Sequence, residues 1–326
     1  MPHTAFSKDI LRIDAAATAQ RIREILKQQV FTQLKRRGIV VGLSGGIDSS
    51  VTAALAVRAL GKDRVFGLFM PETDSSDEGL QFGRLLADAL GIDAVLEDIG
   101  PILKAAGCYA RRDAAIKKVF PDYTPDYKCK LVLSSTGDGY AISSLIVQSP
   151  AGVQTKVRLT AEAYLGIVAA TNFKQRTRKM LEYYHADRLN YAVAGTPNRL
   201  EYDQGFFVKN GDGSADVKPI AHLYKSQVYQ LAEFLGIPKE IQLRPSTTDT
   251  YSLPQSQEEF YFALPHDKMD YCLYGINNGV PAADVAAVTG LTPQQVEKAY
   301  RDITTKRNAT RYLHLEPLLI EGVGEI

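Results

Sequence analysis

Gly38-Ile39-Val40-Val41-Gly42-Leu43-Ser44-Gly45-Gly46-Ile47-Asp48-Ser49-Ser50, running on into VTAALAVRAL and a stop at Gly61, is the stretch on which the fold turns. The β-branched run 39–41 reads as a short buried strand, and the Ala- and Leu-rich segment after Ser50 favours helix until a glycine ends it. Strand, glycine loop and helix therefore follow one another without a linker. Upstream, Ile22, Ile25, Leu26, Val30 and Leu34 recur at helical spacing, which predicts a helix over 13–37 closed by a basic turn and Gly38. Downstream the alternation continues. RVFGLFM reads as a strand, SSDEGLQFGRLLADALG as a helix with a serine cap and an acidic first turn, and IDAVLEDI as a further strand. This order predicts an α/β fold, a doubly wound parallel sheet with helices on both faces.

From about 105 to 160, prolines, glycines, tyrosines and small polar residues break any period, and the stretch reads as an insertion. A long helix is expected from Thr160 to about Asp187, then a strand NYAVAGT ending at Thr196, a glycine-rich loop over 210–216, and a helix in HLYKSQVYQLAEFLGIP. The chain is thus expected to carry an α/β domain over 1–250, with a mostly helical extension over 251–326 packed on the same domain.

Lys and Arg total 38 against 37 Asp and Glu, a formal charge of +1, so no basic excess drives binding to nucleic acid or anionic lipid. No apolar run approaches the roughly 18 residues of a membrane span, and the first residues lack a secretory apolar core. A cytoplasmic protein is expected. Cys108, Cys129 and Cys272 form no CxxC pair, and five scattered histidines suggest no histidine-built metal site.

In an open parallel sheet the ligand crevice lies at the carboxyl ends of the strands, where the loop 42–50 falls. Adjacent Gly45 and Gly46 let backbone approach a phosphate, and the helix N-terminus aims free N–H groups at it. Ser44, Ser49 and Ser50 add hydroxyls. The loop has neither the lysine of GxxxxGK[ST] nor a GxGxxG, which weakens kinase-like and dehydrogenase readings. Asp48 in an anion-binding loop makes sense with a cation between it and the phosphates, as Mg²⁺ bound through one or two carboxylates would be.

SGGIDSS resembles the pyrophosphate loop of the N-type ATP pyrophosphatases, which cleave ATP between the α and β phosphates. The series Asn172-Phe173-Lys174-Gln175-Arg176-Thr177-Arg178, Gly195-Thr196, Glu201, GFFVKNGDGSAD over 205–216, Pro219, Lys225 and Pro245-Ser246 resembles the NAD synthetase branch in particular. The resemblance covers most of 38–250 apart from the insertion. It implies the adenine-nucleotide hydrolase fold and ATP-dependent amidation of deamido-NAD by ammonia through an acyl adenylate. It also implies Asp48 and Glu201 as Mg²⁺ ligands. The loop residues Gly42, Leu43, Ser44, Gly45, Gly46, Ile47, Asp48, Ser49 and Ser50, with Thr196, Lys225 and Ser246, would form the ATP site. Arg176, Lys209 and Asp216 match positions that contact deamido-NAD. Asp212 is then a supporting or ammonia-side acid, grouped with Asp48 and Lys225 as catalytic. Relatives often carry threonine at 246, where serine keeps the hydroxyl. They also tend to have His-Lys-Arg in the tail, where this chain has Thr305-Lys306-Arg307, so Lys306 keeps a substrate role and Thr305 loses the imidazole.

About 37 residues precede the first strand, too few for a fused glutaminase, so ammonia is expected free or from a separate glutaminase chain. The resemblance further implies a homodimer. Taken singly, Glu201 or Lys225 would ordinarily be a solvated charge, and Arg176 could simply face water. Two rivals stand beside the main reading. One is another adenylating amidase or ligase of the same superfamily. The other is a DNA-binding regulator, since residues 281–303 have a helix-turn-helix look, although their second helix is nearly charge-balanced.

Overall fold

The computed structural model describes residues 6–134, 142–248, 250–262 and 264–324. Helix α1 (Ala15–Gln28) starts on the Asp14 side chain, which accepts from the Ala17 N–H, and passes into a π-helical turn over Gln29–Gln33. Strand β1 (Ile39–Gly42) then leads through the glycine loop into α2 (Ile47–Leu60). Next come β2 (Val65–Phe69), α3 (Asp77–Leu90) capped by Ser76, and β3 (Asp93–Leu96). Strand β1 is buried throughout its first three residues, consistent with the continuous apolar run of a covered parallel strand.

The segment expected to be irregular has its own order. Short α4 (Gly100–Ala105) and α5 (Cys108–Lys117) precede an antiparallel meander of β4 (Lys128–Ser134), β5 (Ile142–Gln148) and β6 (Gln154–Arg158). Cys129 and Leu131 on β4 pair with Val147 and Leu145 on β5. All four side chains face one core with Ile116, Tyr123, Ala163 and Ile167. The last two lie on α6 (Ala161–Leu189), whose N-cap Thr160 accepts from the Ala163 N–H.

After α6 the chain returns to the sheet as β7 (Ala192–Val193), giving the order β3-β2-β1-β7 with every pairing parallel. Helix α7 (Arg199–Gln204) follows, then α8 (Lys225–Phe234) and short α9 (Lys239–Leu243). The extension is helical: α10 (His266–Asn277), α11 (Ala282–Thr289) and α12 (Pro293–Thr310). The helix-turn-helix-like segment is the α11–α12 pair. Its apolar residues Val285, Ala286, Val296, Ala299 and Ile303 are consumed in a second core with α10, and α12 is a long packing helix of 18 residues.

One buried ionic quartet ties several of these pieces. Lys174 on α6 donates to Glu72 (3.0 Å), Asp74 (2.7 Å) and the Thr250 carbonyl (2.8 Å), and Arg112 on α5 bonds Asp74 at 2.6 Å. No helix among the described residues is long and apolar enough to cross a membrane.

Candidate active site

The chain runs outward from β1 to β2 and β3, then returns on the other side of β1 as β7. The crevice between the carboxyl ends of β1 and β7 is therefore the topological switch point, the place where such sheets bind ligands. A cleft of about 890 Å³ opens there. Its floor is the loop after β1. Gly45 has φ +74°, and a Cβ on it would lie 2.4 Å from the Gly79 carbonyl oxygen, so only glycine lets the loop close against α3. Gly46 then caps α2, whose second residue is Asp48.

Three charged side chains converge on this point from three elements. Asp48 accepts from the Lys225 ammonium and, at 3.1 Å, from the Asn198 amide. Lys225 is the first residue of α8 and its side chain is 2% exposed. Burial alone would lower its pKa, but the Asp48 and Glu201 carboxylates outweigh that and hold the ammonium charged. Glu201 closes a capping box on α7, its Oε2 accepting from the Asn198 N–H at 3.2 Å while Asn198 Oδ1 accepts from the Glu201 N–H. Gln257 donates to Glu201 Oε1 at 3.0 Å. Burial, reinforced by the charge of Asp48, pushes the Glu201 carboxyl up to about 7. The cluster thus holds two carboxylates against one ammonium in a buried place, and added positive charge would relieve it. Among the described residues no group of three His, Cys, Asp or Glu side chains could hold a metal alone, so a cation here would need oxygens from a ligand.

Of the residues singled out from the sequence, the cleft is lined by Gly42, Leu43, Ser44, Gly46, Ile47, Asp48, Ser49, Thr196, Glu201, Lys225 and Ser246, and by Arg176, Lys209, Asp212 and Lys306. Ser246 Oγ is buried and has no hydrogen-bond partner among the described residues, as a ligand-facing hydroxyl would. Gly45, Ser50 and Asp216 are not among the lining residues. The Ser50 hydroxyl donates back to the Gly46 carbonyl at 2.8 Å, and Ser49 does the same at 3.0 Å, so these two hydroxyls brace the turn. Asp216 is turned to the sheet: its Oδ2 accepts the Val193 N–H at 2.7 Å and its Oδ1 the Tyr183 hydroxyl at 3.2 Å.

Several other candidates are already engaged. Lys209 donates to the carbonyls of Tyr312 (2.8 Å) and Leu315 (3.2 Å), and Arg176 donates to the Lys209 carbonyl at 3.3 Å. Lys306 bonds the Tyr261 carbonyl at 2.6 Å and Asp302 at 2.5 Å, and burial lowers its pKa against the pull of Asp302. Asp212 accepts the Val208 N–H at 2.8 Å inside the glycine-rich loop, and burial raises its pKa. Thr305 is exposed and bonds back along its own helix, to the Arg301 carbonyl.

Three residues that sequence reading passed over organise the cluster. Asn198 holds both Asp48 and Glu201, and the pattern Asn198-x-x-Glu201 was a legible capping signal. Gln257 and Asp270 left no such trace. Asp270 on α10 accepts the N–H groups of Lys225 (3.2 Å) and Ser226 (2.7 Å), fixing the start of α8 from 45 residues away.

A family model described as NAD synthase matches residues 18–119 and 146–311. The chain is 64% identical over 323 residues to an NH(3)-dependent NAD(+) synthetase of Rhizobium meliloti (strain 1021), covering 98% of this chain and 96% of that one. It is 36% identical over 251 residues to the NH(3)-dependent NAD(+) synthetase of Thermotoga maritima, covering 76% and 83% respectively. In fold it is similar to the NH3-dependent NAD synthetase of Campylobacter jejuni, with a TM-score of 0.62 at 22% identity over 95% of this chain and 100% of the other.

Proposed function

We propose, from the premise that this chain belongs to the NAD synthase family, that it joins ammonia to the nicotinate carboxylate of deamido-NAD at the expense of ATP. A carboxylate oxygen attacks the α-phosphorus, the bond to the β,γ-pyrophosphate breaks, and an acyl adenylate forms. Ammonia then adds to the acyl carbon, AMP leaves with the electron pair of the C–O bond, and nitrogen loses a proton. The observation that carries the reading is the Asp48–Lys225–Glu201 cluster at the switch point beside a glycine loop and a helix N-terminus.

Negative charge gathers on the departing pyrophosphate, so positioned cations and N–H donors do most of the work in such a transfer. In our reading Lys225, the backbone of 44–47 and the unpartnered Ser246 hydroxyl meet the ATP phosphates and ribose region, with Thr196 beside them. Asp48 and Glu201 fit Mg²⁺ as two carboxylates brought together at the mouth of the glycine loop by Asn198, which bonds both. Magnesium would neutralise phosphate charge there. Arg176, Lys209, Lys306 and Asp212 are assigned to the acceptor side, and Asp216 supports that side by holding the end of β7.

A homodimer belongs to the same proposal. On α6, Met180 and Tyr184, one turn apart, are 54% and 59% exposed, an apolar pair suited to a second copy. Because it consumes ATP, the reaction is placed in the cytoplasm.

The test is incubation with ATP, Mg²⁺, ammonium and a panel of carboxylates that includes deamido-NAD. AMP, pyrophosphate and NAD in equal amounts are expected. ADP and phosphate as the nucleotide products, or faster amidation of another carboxylate, would overturn the reading.

A further inference from the structure

The segment after α12 is a strap on the cleft. A 3₁₀ turn over Arg311–His314 brings Tyr312 and Leu313 to the cleft wall, and the carbonyls of Tyr312 and Leu315 take two hydrogen bonds from the Lys209 ammonium. An ammonium has three donors, so the strap leaves one N–H of Lys209 for a ligand and fixes its direction. The Tyr312 ring, 5.6 Å from the same nitrogen, completes the grip.

His314 is the peg. Its imidazole meets the rings of Tyr202 and Phe207 edge-on, with centroids 4.8 and 5.1 Å away and interplanar angles of 86° and 83°. Those two rings are themselves stacked 5.9 Å apart, so one imidazole edge is set against both. Tyr202 follows Glu201 on α7, and Phe207 lies two residues before Lys209, which makes His314 a link between the strap and the segment that carries Lys209. The bonds and ring contacts of the strap among the described residues run to Tyr202, Phe207 and Lys209, away from Asp48 and Lys225. The strap begins where the match to the family model stops, at residue 311.

We propose that His314 is a positioning residue for the acceptor: it pegs the strap that aims Lys209, and thereby sets affinity for the anionic dinucleotide without touching ATP chemistry. This rests on the assignment of Lys209 to the acceptor. Two lost edge-to-face contacts set the scale of the effect at about tenfold.

Steady-state kinetics of His314→Ala, His314→Phe and a chain ended after Arg311 test it, once the wild type is seen to amidate deamido-NAD; absence of that activity would instead remove the functional reading itself. His314→Ala should raise KM for deamido-NAD about tenfold while kcat and KM for ATP stay within about twofold. His314→Phe should restore the acceptor KM, since a phenyl edge can make the same ring contacts. Truncation should match or exceed the alanine defect, because it also removes both carbonyls. An unchanged acceptor KM in His314→Ala, a parallel rise in ATP KM, or no rescue by phenylalanine would overturn the proposal.

Discussion

Lys225 and Lys209 are both lysines on one cleft, yet their surroundings assign them different work. Lys225 is buried against Asp48 and fixed at the start of a helix, whereas Lys209 is held by backbone carbonyls of the tail. Lys225→Ala should therefore concentrate its defect on ATP use, and Lys209→Ala on deamido-NAD. A charge-assisted hydrogen bond removed from either site costs about 1.5 to 3 kcal/mol, roughly ten to a hundred and fifty in affinity. Titrating each variant with both ligands checks the crossover. Glu201 makes a pH prediction. Its folded pKa near 7 lies above the ordinary 4.5, so between those values the folded chain keeps a proton that the unfolded chain has lost. Stability from this group is fully present below about 4.5 and falls as pH rises towards 7. Asp270, raised by burial to about 6, acts in the same direction. Denaturant midpoints across this window should decline with pH, and Glu201→Gln should flatten part of the decline. Mg²⁺ bound at Glu201 favours the ionised carboxyl, so adding it should remove part of the decline too.

At the scale of elements, α8 shows how a distant acid positions a reactive group. The first N–H groups of a helix need acceptors, and Asp270 supplies two at the residues that carry and follow Lys225. Asp270→Ala should destabilise the chain by about 1–3 kcal/mol, as expected for leaving buried donors unpaired. It should also raise KM for ATP, read against thermal unfolding to separate the two effects. The strand β1, its loop and α2 were legible from sequence because their determinants are local: a β-branched run, a glycine that must take φ +74°, and an alanine-rich helix. Asp270 and Gln257 were not, because each acts across tens of residues through contacts that leave no local pattern. The β4–β6 meander was hidden for another reason. Its described buried alternation, Cys129 with Leu131 and Leu145 with Val147, is short on each strand, and the strands are flanked by prolines and glycines. Ser50 and Asp216 are engaged with backbone instead, Ser50 donating to the Gly46 carbonyl and Asp216 accepting the Val193 N–H, partners that residue type and resemblance do not reveal.

At the scale of the molecule, ammonium should support turnover while glutamine alone does not. Cys108, Cys129 and Cys272 are all buried, and burial raises the pKa of each thiol, the opposite of an activated nucleophile. Changing each to serine should leave ammonium-dependent activity intact wherever the fold survives. The quartet of Lys174, Glu72, Asp74 and Arg112 has a different consequence. Its side chains are 0–8% exposed, with Asp113 bonded to Arg112 at the rim, so mobile ions barely reach them, while a surface pair such as Lys118–Glu162 is 49% and 75% in solvent. Brine should therefore silence the outer pairs and leave the inner four intact. Lys174→Met, which leaves Asp74 to Arg112 but strands Glu72 in the interior, should lower stability by about 3–5 kcal/mol in dilute buffer and by nearly as much in concentrated salt.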